Sequence, residues 1–244
     1  MKEVRFFYVP DAANAIELPE EEAQHAVRVL RMGSGDEMML MDGVGTFYRA
    51  VITEATKKRC LYRIEDAMPQ PRQWQPHLHL AVAPTKNMDR MEWFAEKATE
   101  IGFDELTFLK CRWSERTAIK TERIEKILVS AMKQSHKAWK PVLNGIADFG
   151  AFLKRVEKEN TQKFICHCHG EELGAKPHLQ DVIKHGQDAL VLIGPEGDFS
   201  AEEVKLALSQ GFQSVSLGQS RLRTETAAMV AVHLMNLACS HNPD

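Results

Sequence analysis

From His77 to the end of the chain, short apolar runs alternate with stretches of helical spacing. His77 to Ala83, Glu105 to Lys110, Lys163 to His167, Ala189 to Ile193 and Ser214 to Leu217 read as strands. Between the first two, Met91, Phe94, Ala98 and Ile101 recur at helical intervals. Asp89 is the expected cap of that helix, with Glu92 three residues on, and Gly102 is its stop. Residues 122–138 form a second helix with Ile124, Leu128, Ala131 and Ser135 inward. Ser200-Ala-Glu-Glu203 is a capping box opening a helix that ends near Gly211, and Glu225 to Cys239 is the last helix. Strands separated by helices pair in parallel, because only a long crossover returns the chain to the same end of the sheet. The fold class is therefore α/β.

Residues 1–67 follow another rhythm. Val4 to Val9, Glu37 to Asp42, Thr46 to Thr53 and Cys60 to Glu65 are β-rich, with a hairpin turn at Gly43-Val44-Gly45. One helix interrupts them, from Pro19 at its first position to about Arg31. Short strands with one helix suggest a small β-barrel. Met68 to Pro76 holds three prolines in nine residues, a stiff unpaired connection. The expected domains are 1–72 and 73–244.

No run of about 18 apolar residues is present, and the first residues lack the apolar core of a signal peptide, so no membrane is expected. The five cysteines fall at irregular spacings, which favours free thiols and a cytoplasmic location. Net charge is -3, yet residues 86–140 hold 12 Lys and Arg against 9 Asp and Glu. A polyanion partner is allowed there.

Two strand ends run into unusual loops, and ligands of open α/β sheets sit at such ends. One is Ile193-Gly194-Pro195-Glu196-Gly197. The other is Leu217-Gly218-Gln219-Ser220-Arg221-Leu222-Arg223-Thr224-Glu225-Thr226-Ala227. The first has neither the lysine of a triphosphate loop nor the serine of a hydrolase elbow. Glycines at 194, 197 and 218 let backbone approach a ligand or take positive φ. Loops that offer amides and carbonyls suit a neutral, hydrogen-bonding ligand such as adenine.

GPEG followed by FS-x-x-E, then LG and LRTETA, resembles the bacterial 16S rRNA uridine-N3 methyltransferases of the SPOUT superfamily. The likeness extends to Gln24-His25 with Val29-Leu30-Arg31, to Glu96 through Gly102, and to Lys133-Gln134-Ser135 before Pro141. The resemblance implies an N-terminal PUA-like β-barrel that helps hold RNA and a C-terminal α/β methyltransferase domain with a trefoil knot. It implies a homodimer, S-adenosyl-L-methionine as cofactor, and 16S rRNA within the small ribosomal subunit as partner. It sets the cofactor against Leu192, Ile193, Gly194, Pro195, Glu196, Gly197, Leu217, Gly218, Leu222, Arg223, Thr224, Thr226 and Ala227. Three positions depart from the family pattern: Asp198 stands where a second glycine is usual, Ala26 follows His25 where histidines are often paired, and Ser220-Arg221 replaces Arg-Ile.

Methylation at uracil N3 requires the ring to lose a proton and spread negative charge onto two oxygens. Arg223 is the candidate to stabilise that charge, though it could equally brace Glu196 or Glu225. Glu196 is the weaker candidate, as base, because a loop carboxylate at a helix N-terminus needs no further role. Thr224 and Thr226 could bond the cofactor or cap the last helix. The candidate RNA contacts are Arg5, His25, Arg28, Arg31, Lys86, Arg90, Lys97, Arg112, Arg116, Arg123, Lys133, Gln134 and Lys137, each also readable as a solvated charge or a half-buried ring. Cys166-His167-Cys168-His169 is too tightly spaced for four ligands on one ion, so no metal is expected. Ribose 2′-O methylation and non-catalytic RNA binding are the alternative functions.

Overall fold

The computed structural model describes residues 4–170 and 176–240. They form two compact units, one of residues up to Arg72 with Val129–Lys140, the other of Gln73–Leu128 with the chain from Pro141 onward.

In the first unit β1 (Phe6–Tyr8), β2 (Glu37–Met41), β3 (Thr46–Ala55) and β4 (Cys60–Pro69) pair in that order. β1 and β2 are parallel and the other pairs antiparallel. Register shifts after Arg49 and Ile52 bend the long β3–β4 ribbon. The helix after Pro19 is shorter than its sequence suggests. α1 covers Glu20–Gln24, and His25–Val29 widen into a π turn before Arg31 takes φ +56°. Phe7, Val9, Leu18, Ala26, Met38, Leu40 and Ile52 fill the core. The segment from the second half of the chain belongs to this core structurally. Trp139 lies against Gly45, Gly45 N–H donates to Ala138 O (3.0 Å), and Lys140 N–H donates to Gly43 O (2.9 Å).

The second unit is a six-stranded, wholly parallel sheet: β5 (Leu78–Val82), β6 (Glu105–Lys110), β7 (Val142–Asp148), β8 (Gln162–Cys166), β9 (Ala189–Ile193) and β10 (Gln213–Val215). Their order is β10-β8-β9-β5-β6-β7. Its helices are α2 (Met88–Ile101), α3 (Thr121–Gln134, reaching into the first unit after Leu128), α4 (Phe149–Val156), α5 (Leu179–Val182), α6 (Ala201–Ser209) and α7 (Thr224–Ser240). All five residues of β9 are buried, as a central parallel strand requires. Ala189, Val191 and Ile193 face one core with α2, α5 and α7, while Leu190 and Leu192 face the other with α4 and α6. Fully burying each Val, Leu or Ile among them contributes about 1.5–3 kcal/mol.

Two local expectations change. The cap of α2 is Asn87, whose Oδ1 accepts from Asp89 N–H at 3.0 Å. Asp89 lies inside the first turn, where its charge meets the helix dipole. β7 and α4 lack the strong apolar signal of the other elements: β7 is a half-exposed edge strand, VLNGIAD, and α4 opens Phe-Gly. The capping box of α6 forms in full. Ser200 Oγ accepts from Glu203 N–H (3.2 Å), and Glu203 Oε2 accepts from Ser200 N–H (2.8 Å).

Candidate active site at the carboxyl ends of the parallel strands

β9 ends in a tight turn closed by Asp198 N–H donating to Pro195 O at 2.9 Å. A Cβ at Gly194 would sit 3.1 Å from the Phe199 ring and backbone N, and one at Gly197 would sit 3.0 Å from Trp113 Cβ. Both glycines therefore make room for neighbours. Asp198 takes φ +67°, and its two oxygens are occupied: Oδ2 accepts from Cys168 N–H (2.7 Å) and Oδ1 from Phe199 N–H (2.8 Å). Glu196 Oε1 accepts from Lys86 N–H at 2.8 Å. Side chains of the β9 turn thus tie it to the ends of β8 and β5.

The segment after β10 is set by Ser216. Its Oγ accepts from Gly218 N–H (3.1 Å) and donates to Gly218 O (3.0 Å), while Gly218 takes φ +118°. A Cβ at Gly218 would meet nothing within 4 Å, so it is the φ that asks for glycine here.

These segments surround a cavity of about 480 Å³, within the usual range for a small-molecule site. Ile193, Val215, Leu217 and Ala227 give it apolar surface, and the 194–198 turn forms one wall. Leu222, Arg223 and Thr224 close another side at the start of α7. Of the residues named for the cofactor, Leu192 and Thr226 are not among those lining it. Strand alternation turns Leu192 into the opposite core, and Thr226 lies two residues round the helix from Thr224.

The lining also holds residues that sequence reasoning did not assign to the cofactor: Arg90, Cys166, His167, Cys168, Asp198, Ser216, Ser220, Arg221 and Glu225. β8 lies beside β9, so its carboxyl end flanks the same cavity; that adjacency is not legible in chain order. Burial pushes the Cys166 thiol far above its usual range, so it acts as a protonated wall. His167 Nε2 bonds Ser214 Oγ (2.8 Å), and His169 Nε2 donates to Phe199 O (2.7 Å). Among the described residues no group of three His, Cys, Asp or Glu could hold a metal ion.

Charge in the cavity is mixed. Arg90 pairs with the buried Glu225 at 3.5 Å. Arg223 and Arg221 are exposed, and among the described residues neither forms an ion pair. Arg223 therefore braces neither Glu196 nor Glu225.

The other candidate cations are mostly engaged. Lys86 pairs with Glu115, Lys97 with Glu96 and Glu100, Arg112 with Glu202, Arg123 with Glu92, and Lys133 with Glu22. Arg116 donates to the carbonyls of Thr85 and Lys86, and Arg28 to that of Lys57. Arg5, His25, Arg31 and Gln134 are exposed, while burial lowers the pKa of Lys137.

A parallel sheet with a small-ligand cavity at its carboxyl ends defines an α/β binding protein or enzyme. Residues 72–236 match the family model described as RNA methyltransferase domain, and residues 18–65 match the RNA methyltransferase PUA domain. The chain belongs to this RNA methyltransferase family. A crystal structure of a probable rRNA-methyltransferase from Porphyromonas gingivalis is 42% identical, with a TM-score of 0.89 and 97% and 99% of the two chains covered. A methyltransferase from Legionella pneumophila, solved with its bound cofactor SAM, is 29% identical with a TM-score of 0.85, covering 97% and 98%. The Ribosomal RNA small subunit methyltransferase E of Rickettsia conorii is 28% identical over 228 residues, 93% of this chain and 91% of that protein.

Proposed function

We propose that this protein methylates N3 of a uridine in 16S rRNA, using S-adenosyl-L-methionine. The observation that carries the reading is the cavity walled by the 194–198 turn and the 216–224 segment at the carboxyl ends of β8, β9 and β10. Support also comes from the SAM-bound Legionella relative and from the Rickettsia relative, a ribosomal RNA small subunit methyltransferase by name.

The residues present fit this cofactor. The volume suits it, apolar Ile193, Leu217 and Ala227 can flank a purine, and the turn at Gly218 is fixed by Ser216. When bound, S-adenosyl-L-methionine supplies an electrophilic methyl group on a sulfonium. The protein's part is alignment, which lowers the entropic barrier of an in-line displacement. Arg223, which lines the cavity and forms no ion pair among the described residues, stabilises the negative charge that develops on the uracil oxygens. Glu196, one oxygen of which is held by Lys86 N–H, is the weaker candidate to take the N3 proton. Ile193, Gly194, Pro195, Gly197, Leu222, Thr224 and Ala227 complete the cofactor site, with Leu192 and Thr226 behind it.

Residues 1–72 are proposed as the RNA-holding domain and 73–244 as the methyltransferase domain. Phosphate contacts come from the exposed cations among the candidates above, led by Arg5, Arg28 and Arg31. The same reading includes a homodimer, a 16S rRNA substrate in the small ribosomal subunit, a cytoplasmic location and a trefoil knot. No helix among the described residues is long and apolar enough to cross a membrane. α7 follows β10 and packs on α2, β5 and β9.

The test is mass mapping of modified nucleosides from 16S rRNA of a deletion strain and its complemented partner. Loss and recovery of N3-methyluridine is expected. Unchanged N3-methyluridine rejects the reading, and loss of a ribose methyl would select the 2′-O alternative. Absence of calorimetric binding at millimolar cofactor would leave only a non-catalytic RNA-binding role.

A further inference from the structure

Trp113 is 52% exposed although it sits beside the candidate active site. It occupies the corner of a turn after β6. Ser114 N–H donates to Cys111 O (3.1 Å), and Cys111 N–H donates to Ser114 Oγ (2.9 Å). Arg112 N–H donates to Glu203 Oε1 at 2.8 Å, fixing the turn to the start of α6. Trp113 Cβ rests against Gly197, a residue of the cavity wall. The corner is thus rigid, and it presents its two most solvent-facing positions as Arg and Trp.

An exposed tryptophan contributes little to a core, and this one has a distinct setting. The Arg112 guanidinium lies 5.0 Å from the ring centroid. Lys86 and Arg116 flank the same turn of β9: Lys86 donates its backbone N–H to Glu196 Oε1, and Arg116 donates to the Lys86 carbonyl at 2.6 Å. The side chain of Lys86 is 78% exposed and that of Arg112 56%. Lys86 and Arg112 hold exposed ion pairs with Glu115 and Glu202, which phosphates can replace, and a planar aromatic surface beside such cations matches a nucleotide.

Resting on the methyltransferase reading above, we infer that Trp113 is a stacking platform for an RNA base next to the target uridine, with Arg112 and Lys86 placed for the adjoining phosphates. Stacking needs a π face and tolerates any base, so the contact supplies affinity and register more than sequence choice. Trp113 is a positioning residue, since it does not line the cavity.

The test compares the full-length protein with Trp113→Phe, Trp113→Leu and Trp113→Ala. In vitro transcribed 16S rRNA and isolated small subunits serve as RNA probes, and S-adenosyl-L-methionine binding is followed by calorimetry. The expected result is a rise of about 10-fold or more in the KM for RNA with Ala and Leu, near-normal KM with Phe, and unchanged cofactor affinity. Leu preserves bulk without a π face, so it separates stacking from plain burial. An unchanged KM in Ala and Leu, or a parallel loss of cofactor binding, overturns the inference. A change of oligomeric state in sedimentation velocity on Trp113→Ala overturns it too, because the residue would then be a contact between copies. If the unsubstituted protein methylates neither RNA probe, the functional reading itself fails, which these variants cannot mimic.

Discussion

Asp198 does a job that glycine could not. Glycine would take φ +67° without strain, but only a carboxylate joins Cys168 N–H and Phe199 N–H across two strand ends. Asp198→Ala keeps the strained backbone and removes both bonds, so it should lower stability by about 2 kcal/mol and weaken cofactor binding. Asp198→Gly should cost less stability, because it relieves the left-handed conformation; equal losses in urea melts of the two variants would contradict this account. Arg223→Ala should abolish methylation with an unchanged melt, given that Arg223 forms no ion pair among the described residues. Near-normal turnover would remove it from the mechanism. At this scale the sequence named Arg223 and the glycines, but it left the use of Asp198 open, because its partners lie 30 residues away at Cys168 and one residue away at Phe199.

At the scale of elements, the amino ends of β5, β6 and β7 hold a polar group on the sheet face that α4 covers. Buried His79 bonds Thr107 Oγ1 (2.8 Å), His77 bonds Glu105 Oε2 (2.9 Å), and Asn144 donates to Glu105 Oε1 (2.6 Å) and Thr107 Oγ1 (2.9 Å). Phe152 of α4 packs edge-on to His79, and Arg155 adds positive charge nearby. Burial chiefly holds the His79 pKa down at about 4, opposed by Glu105. The bond from His77 chiefly holds Glu105 at about 2, and the same bond raises His77. Because the folded value of His79 lies below the unfolded one, the unfolded chain takes the proton first as pH falls. Its contribution is therefore lost between about pH 6.5 and 4, by roughly 3 kcal/mol in full. Glu105 adds a loss below about pH 4.5, whereas His77 favours the fold on the acid side and loses that contribution as pH rises through its folded value. His79→Gln should flatten the decline in urea stability between pH 7 and 4.5; an unchanged slope would show that His79 does not set it. A second element-scale expectation concerns α6. Ser200→Ala removes the Oγ acceptor of the capping box and should cost about 1 kcal/mol in thermal or urea melts.

For the whole molecule, the first unit is built from two stretches of chain. Val129–Lys140 supplies Trp139 against Gly45, the Val44–Trp139 bridge and the Lys133–Glu22 ion pair at 2.6 Å. A fragment of residues 1–72 should therefore lack a stable fold by dispersed amide NMR signals, and adding a 129–140 peptide should partly restore them. A cooperative, dispersed 1–72 fragment would show that the later segment is dispensable. Nothing in the Pro-rich stretch at 68–76 announces this, since composition reports local stiffness and not which distant segment completes a core.

Local patterning determined the α/β alternation, most element bounds, the α6 capping box and the two glycine-bearing loops, because each depends on residues within a few positions of one another. The tertiary structure alone decided that β8 lies beside β9, so that Cys168 and Asp198 share one wall. It also decided that Leu192 turns away from the cavity and that Trp113 stands exposed at the edge of Gly197. Sheet order joins residues that the chain keeps far apart, and no spacing in the sequence encodes it.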